Sequence, residues 1–160
     1  MKQKRTVSLA LCAALLTGVL LAGCGGKSTQ LNPKEPVNLT IWHYYNGAQL
    51  SAFDAIVDAF NSTVGQEKGI YVSSYSKGSV NDLESAVRDS LEGKVGAEPL
   101  PDLFSSYSDT AFNAEQAGAL ANLSDYFTQE ELDDYIPSYV KEGCIAADGS
   151  LRIFPIAKST

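Results

Sequence analysis

The stretch VNLTIWHYYNG, residues 37–47, decides the fold. Leu39-Thr40-Ile41-Trp42 is a run of branched and aromatic residues suited to a strand that ends at His43, and Asn46-Gly47 breaks it as a turn-forming pair. The period then changes. From Gln49 onward Leu50, Phe53, Ile56, Val57, Phe60 and Val64 recur at helical spacing, which sets Asp54, Asp58 and Asn61 on the opposite, polar face. The pattern repeats: Ile70 to Tyr75 is a second β-prone run, and Lys77-Gly78 turns the chain out of it. Ser79, with Asp82 three residues on, is an N-cap for a helix whose stripe of Val80, Leu83, Val87 and Leu91 stops at Gly93 and Gly96. A third cycle opens at Pro99 and Pro101. Asp102 to Ser106 reads as a short strand, Asp109 as a helix cap, and Ala111, Phe112, Ala114 and Ala117 as a stripe ending at Gly118. Three strand-helix cycles spaced by roughly 30 residues predict parallel crossovers, hence an α/β class with an open sheet covered by helices on both faces.

Further on, Thr128-Gln129-Glu130-Glu131 offers a capping box for another helix, which Pro137 interrupts near its end. Ala147-Asp148-Gly149-Ser150 reads as a turn, and Leu151 to Ile156 as a strand with Lys158, Ser159 and Thr160 directly after it. A strand with no element to follow it predicts that the sequence is part of a longer protein. Residues 37–160 are enough to bury one core, and so to build one lobe.

Upstream, Lys2, Lys4 and Arg5 precede an apolar run, residues 7–21, which falls short of the roughly 20 residues a helix needs to span hydrocarbon. Leu21-Ala22-Gly23-Cys24 closes that run in the pattern of a bacterial lipobox. Residues 1–23 are therefore expected to be a lipoprotein signal peptide, and Cys24 the site of lipidation. Each acyl CH₂ buried in a membrane contributes about 0.8 kcal/mol, so several chains (palmitate among them) on one cysteine hold a protein at the extracytoplasmic face of the cell membrane. Residues 24–36 are rich in Gly, Ser, Asn, Pro and Lys and read as a flexible tether.

The formal charge is −7, and loss of Lys2, Lys4 and Arg5 with the signal would bring it to −10. An acidic chain with scattered Lys and Arg is unsuited to phosphate backbones, which argues against nucleic acid as a partner. Of three cysteines, Cys12 lies in the signal and Cys24 carries the anchor, leaving Cys144 as a half-buried free thiol unless it pairs with a residue beyond Thr160. No metal or other cofactor is expected, since the one histidine stands outside any metal-ligand spacing. Nor does the pattern suggest catalysis. The carboxylates of Glu130, Glu131, Asp133 and Asp134 read as a solvated helix face rather than a glycosidase pair, and no Gly-x-Ser-x-Gly elbow is present.

The lipobox, the polar tether, a strand ending Ile41-Trp42-His43, the long amphipathic helix, Pro101-Asp102-Leu103-Phe104, and Pro155-Ile156-Ala157-Lys158-Ser159-Thr160 occur in an order that resembles the N-terminal lobe of family 1 extracellular solute-binding proteins. The resemblance covers residues 24–160. It implies a periplasmic-binding-protein-like fold whose second lobe is missing here, and a monomeric receptor, not an enzyme, that delivers a solute to the membrane permease of an ABC importer. The subgroup includes binders of maltose, other oligosaccharides and glycerol phosphate esters. A sensing lipoprotein and an extracytoplasmic saccharide-acting enzyme are the alternatives.

In open α/β sheets ligands sit outside the carboxyl ends of the strands, which selects the residues just after each strand. After the first come His43, Tyr44, Tyr45 and Asn46: aromatic faces suit the C–H faces of a pyranose, and Asn and His exchange hydrogen bonds with hydroxyls. Trp42 is read as core. After the second strand, Tyr75, Ser76, Lys77 and Gly78 lead into a helix N-terminus, where Lys77 is either a ligand contact or a solvated turn residue. After the third, Tyr107, Ser108 and Asp109 stand at another helix start, and Asp109 either accepts sugar hydroxyls or caps the helix. Lys158 and Ser159 follow the last predicted strand and resemble the family's ligand-side segment. More tyrosines than lysines near these ends favours a sugar over a phosphate ester.

Overall fold

In a computed structural model, residues 31–156 are described. The signal peptide, Cys24, Lys158 and Ser159 lie outside them. The first strand, β1 (Val37–His43), pairs in parallel with β2 (Ile70–Ser76) along its whole length, Val37 opposite Ile70 and His43 opposite Ser76. On its other side β1 pairs in parallel with β3 (Leu103–Phe104), so the order is β2-β1-β3. Between these strands lie α1 (Gly47–Ser62), the short α2 (Val64–Lys68) and α3 (Val80–Leu91). Then come α4 (Ser108–Gln116), a 3₁₀ turn at Leu123–Asp125, α5 (Gln129–Asp133) and α6 (Pro137–Glu142).

Successive strand residues point to opposite faces of a sheet, and β1 uses this to build two interfaces. Trp42, 3% exposed, meets Leu83 and Val87 of α3, with Ala86, Leu91, Leu100 and Phe104 around them. Next along the strand, His43 points the other way and its ring meets Phe53 of α1 edge-on, 4.8 Å between centroids. The sheet is thus covered on both faces.

β3 has only two residues in strand geometry, fewer than the sequence suggests, because Asp102 replaces ladder bonds with its side chain. Its Oδ2 accepts the Thr40 amide at 2.8 Å and the Thr40 hydroxyl at 2.9 Å, while the Asp102 amide donates to Thr40 Oγ1 at 3.1 Å. Beyond β3 the Ser105 amide donates to the Trp42 carbonyl at 2.9 Å, so the pairing continues towards the strand's end.

Several local expectations hold for stated physical reasons. Ser79 caps α3 by accepting the Asp82 amide, and Thr128 with Glu131 forms the full capping box of α5. Asp148 accepts both the amide and the hydroxyl of Ser150, closing the turn at residues 147–150. The end of the segment expected to be a tether differs: before β1, Asn32 closes a turn over Lys34 and Glu35 that lies against Gly69. Gly69 ends α2 at φ +75, and a Cβ there would overlap the backbone of Asn32 and Pro33.

Others are corrected. The helix after β1 ends at Ser62 and α2 begins at Val64, leaving Ile56 and Val64 at least half exposed. Asp54 and Asn61, placed by periodicity on the outer face, turn to the sheet instead. Asp54 accepts the Ser74 hydroxyl, and Asn61 takes both the amide and the carbonyl of Val72 at 2.8 and 2.9 Å, satisfying polar groups on the open edge of β2. Asp109 is the second residue of α4, whose N-cap is Tyr107. Pro137 opens α6 as its first residue rather than interrupting α5, the position where its missing N–H costs nothing. Residues 151–156 are not a strand but an irregular segment. Leu151 is buried and exchanges bonds with Leu123 and Ser124, and Gly143 receives the Arg152 and Ile153 amides on its carbonyl. No Cβ fits at Gly143, which lies against Ile153. Arg152 Nε lies 3.3 Å from Glu115 Oε2, an ion pair by distance whose angle is too bent for a hydrogen bond. Cys144 is a partly buried free thiol donating to the Val140 carbonyl.

Two outcomes follow from this packing. Leu83→Ala, which empties volume against Trp42, lowers unfolding stability by about 2–5 kcal/mol and red-shifts the emission of Trp42, both read in a urea titration; an unchanged midpoint contradicts the packing. Hydrogen bonds from Thr40 hold the Asp102 carboxyl below its ordinary value of 3.8. The stabilisation is therefore complete above that value and is lost as pH falls through the lower, folded one. Asp102→Ala is accordingly less stable than the parent at pH 7, and the gap closes on acidification below about pH 3.8; equal stabilities at pH 7 would show the clamp to be idle.

Candidate functional site

The connections on either side of β1 leave the sheet in opposite directions: α1, following β1, covers the His43 face, and α4, following β3, packs on α3 over the Trp42 face. The crevice such a reversal opens lies beyond the carboxyl ends of β1 and β3. A cavity of about 570 Å³ occupies that place, within the range of small-molecule sites. Tyr44 and Tyr45 line it from the end of β1, Gln49 from the first turn of α1, and Phe104, Ser105, Ser106, Tyr107 and Ser108 from the end of β3 and the start of α4. Tyr139, Glu142, Gly143 and residues 153–156 form the far wall. Among the described lining residues there is no Lys or Arg.

The aromatic rim is braced from behind. Tyr44 and Tyr45 are tilted against each other at 5.3 Å, and Tyr45 rests on Phe53 at 5.2 Å. Burial, then the nearby phenols of Tyr107 and Tyr45, raise the Tyr44 hydroxyl above its ordinary 10.0, so it stays protonated and able to donate. On the far wall Phe154 stacks on Phe127 at 4.7 Å and meets Tyr135 edge-on at 4.7 Å.

Two helices point their N-termini at this cavity, α1 through Gln49 and α4 through Tyr107 and Ser108, and neither has a side-chain cap. The first amides of α1 are thus left for an acceptor, as are those of Ser108 and Asp109 in α4, where Asp109 Oδ1 takes the Thr110 amide at 2.8 Å, with the positive end of each helix dipole behind them. The N-termini of α3 and α5, by contrast, are satisfied by Ser79 and Thr128.

Of the residues singled out in the sequence, Tyr44, Tyr45 and Tyr107 are brought together, with Ser108 beside them. His43 is not at the surface of the cavity: it is 0% exposed, beneath Tyr45, whose amide donates to its Nδ1 at 3.1 Å. Asn46 spans to the next loop, its Nδ2 donating to the Gly78 carbonyl at 3.3 Å. That loop is bound further, the Lys77 amide donating to the His43 carbonyl and the Ser76 hydroxyl to the Tyr45 carbonyl. The Lys77 ammonium is engaged elsewhere, 3.7 Å from the centroid of Trp42 and 2.8 Å from Glu98. Tyr75 is half exposed and does not line the cavity, and Asp109 lines a separate groove with Glu84 and Arg88 between α3 and α4. Gln49, Phe104, Ser105 and Ser106 were not singled out. Position after the third strand could have found the serines, whereas Tyr139 and Glu142 arrive from α6, a helix too short to show a period, and Phe154 from an irregular segment that leaves no periodic signal.

No family model and no curated protein sequence matches the chain. Solved structures do. The cyclic alpha-maltosyl-1,6-maltose binding protein of Arthrobacter globiformis is 28% identical, with a TM-score of 0.55 over 72% of this chain and 27% of that one. The maltose/maltodextrin-binding domain of Bdellovibrio bacteriovorus, bound to maltotriose, is 17% identical with a TM-score of 0.55 over 72% of this chain and 27% of that one. A family 1 extracellular solute-binding protein of Bifidobacterium longum subsp. infantis is 14% identical with a TM-score of 0.54 over 74% and 27%. The chain spans about a quarter of the length of these structures. Its three-stranded parallel sheet, with the cavity at the strand ends, gives it a periplasmic-binding-protein-like α/β fold similar to that of the cyclic alpha-maltosyl-1,6-maltose binding protein.

Proposed function

We propose that the protein is a carbohydrate receptor, a solute-binding lipoprotein of an ABC importer, of which residues 37–160 form one lobe. The observation that carries this reading is the cavity at the ends of β1 and β3, where Tyr44, Tyr45 and Tyr107 converge with Ser105, Ser106 and Ser108. Tyrosine faces receive the apolar C–H faces of a sugar ring, and hydroxyls and uncapped helix amides exchange hydrogen bonds with its oxygens. A lining without Lys or Arg among the described residues, and with the Glu142 carboxylate in it, suits a neutral polyhydroxylated solute better than a glycerol phosphate ester. The similarity to binding proteins for cyclic alpha-maltosyl-1,6-maltose and for maltotriose supports the same class.

In this reading residues 1–23 direct export, Cys24 carries the lipid, and residues 24–36 tether the lobe at the extracytoplasmic face. The solute is captured against a second lobe and handed to permease subunits. The protein acts as a monomer, without a cofactor and without catalysis.

Calorimetry of the full-length protein against maltotriose, other oligosaccharides and glycerol phosphates should give a dissociation constant well below millimolar for at least one saccharide. Tyr107→Ala and Tyr44→Ala each weaken it about tenfold, the loss of roughly 1.4 kcal/mol expected for one stacked ring. Lys77→Met and Lys158→Met leave saccharide binding within about twofold. Binding of glycerol phosphate alone, abolished by the lysine changes, would overturn the carbohydrate reading. The anchor is tested separately: cells fed labelled palmitate incorporate it into the parent protein and not into Cys24→Ser, and equal labelling of the two would refute lipidation at Cys24.

A further inference from the structure

His43 is the one histidine of the sequence and the one buried polar or charged residue among those described. It touches no solvent and does not line the cavity, yet it holds part of the cavity's rim. Its Nδ1 accepts the Tyr45 amide at 3.1 Å, and its ring stacks on Tyr45 with 5.1 Å between centroids and 25° between planes. An imidazole nitrogen that accepts an N–H carries no proton, so the ring is neutral with its hydrogen on Nε2, as assigned by this bond. That Nε2 has no hydrogen-bond partner. The bonding therefore selects the neutral form at one nitrogen, and no hydrogen bond at the other favours the cation.

A second proton would have to go on Nδ1. It would set an N–H donor against the Tyr45 N–H, with no acceptor between them, inside a buried site. The contact cannot survive this change, and the turn it closes is the one that presents Tyr44 and Tyr45 to the cavity. We propose that His43 is a positioning residue for this rim: its unprotonated Nδ1 holds the Tyr45 backbone in place, and gaining a proton releases the rim and weakens solute capture.

The groups facing the ring fit this role. From α1, Phe53 is apolar and Asp54 is the one carboxylate whose charge reaches His43, although its Oδ1 already accepts the Ser74 hydroxyl. From β2, Ser74 and Ser76 carry no charge, and Lys77 places its ammonium over Trp42 on the opposite face. From the rim itself comes the Tyr45 phenol. Burial outweighs Asp54 and lowers the imidazole below its ordinary 6.5. The neutral, rim-holding form is thus favoured fully above that value and is lost as pH falls through the lower one. The linkage is reciprocal, so a solute that needs the ordered rim lowers the proton affinity of His43 further.

The proposal rests on the cavity being the carbohydrate site, and the test separates the two. The full-length protein, labelled with ¹³C in histidine and ¹⁵N in tyrosine, is titrated by NMR from pH 8 to pH 5, the His43 signal being identified by its through-space contact with the Tyr45 amide. The Tyr45 amide should move with the same midpoint as the His43 ring, whether or not any sugar is present. Maltotriose affinity, measured across the same range, should be constant above about pH 6.5 and weaken below the His43 midpoint by up to tenfold per pH unit. His43→Asn, which offers an amide oxygen near the place of Nδ1, should bind with a flat profile. A Tyr45 amide that ignores the His43 titration, or parent and variant profiles of the same slope, would overturn the positioning role. Absence of maltotriose binding at every pH would count against that sugar and leave the amide titration to decide the role of His43. The same titration decides it if His43→Asn fails to fold.

Discussion

The side chain of Asp102 closing on Thr40 is the constraint from which the site follows. β3 contributes only Leu103 and Phe104 to the sheet, too little to fix a register by ladder bonds alone. By accepting the Thr40 amide and hydroxyl while its own amide reaches Thr40 Oγ1, Asp102 adds a side-chain rung just before β3. A slip of one residue would exchange the faces of Leu103 and Phe104, taking Phe104 away from Trp42. With the register pinned, Ser105 joins the Trp42 carbonyl and the chain emerges with Tyr107 near Tyr44. The rim at the mouth of the cavity is thereby set by a carboxylate three residues before Ser105.

A second constraint is the alternation at the end of β1. Trp42 goes to α3 and His43 to α1, so adjacent residues anchor the two faces of the sheet, and Tyr44 and Tyr45 are left at the strand end between them. The loop after β2 reinforces this through bonds from Lys77, Ser76 and Asn46 that join it to the loop after β1. The segment that presents the aromatics is irregular in form, yet four polar contacts and four ring contacts hold it. A segment held in this way loses little further entropy if a ligand binds against it.

Much of the fold was legible because it depends on local rules. Periodicity revealed β1, β2, α1 and α3, and cap chemistry placed Ser79 and Thr128, since both read interactions within a few residues. The misplacements arose where a distant partner decided the outcome. Asn61 and Asp54 are polar, and only the open edge of β2 and Ser74 explain why they face inward. Residues 151–156 have strand-like composition, but the backbone of Gly143 and the side chain of Ser124 take their hydrogen bonds and leave them irregular. At the candidate site, position after a strand points to Tyr44, Tyr45 and Tyr107, which line the cavity. It also suggested His43 and Lys77, whose side chains are taken up by Tyr45, Trp42 and Glu98, and it could not foresee the far wall.

Together these features describe a sheet whose ends are organised to present aromatic faces, hydroxyls and free helix amides to one cavity. A structure of the full-length protein crystallised with maltotriose tests that account most directly. The account predicts a glucosyl ring beyond the ends of β1 and β3, stacked on Tyr44 or Tyr107, with Ser105–Ser108 in hydrogen-bond reach. A saccharide bound elsewhere, with that cavity filled by water or by protein side chains, would contradict it.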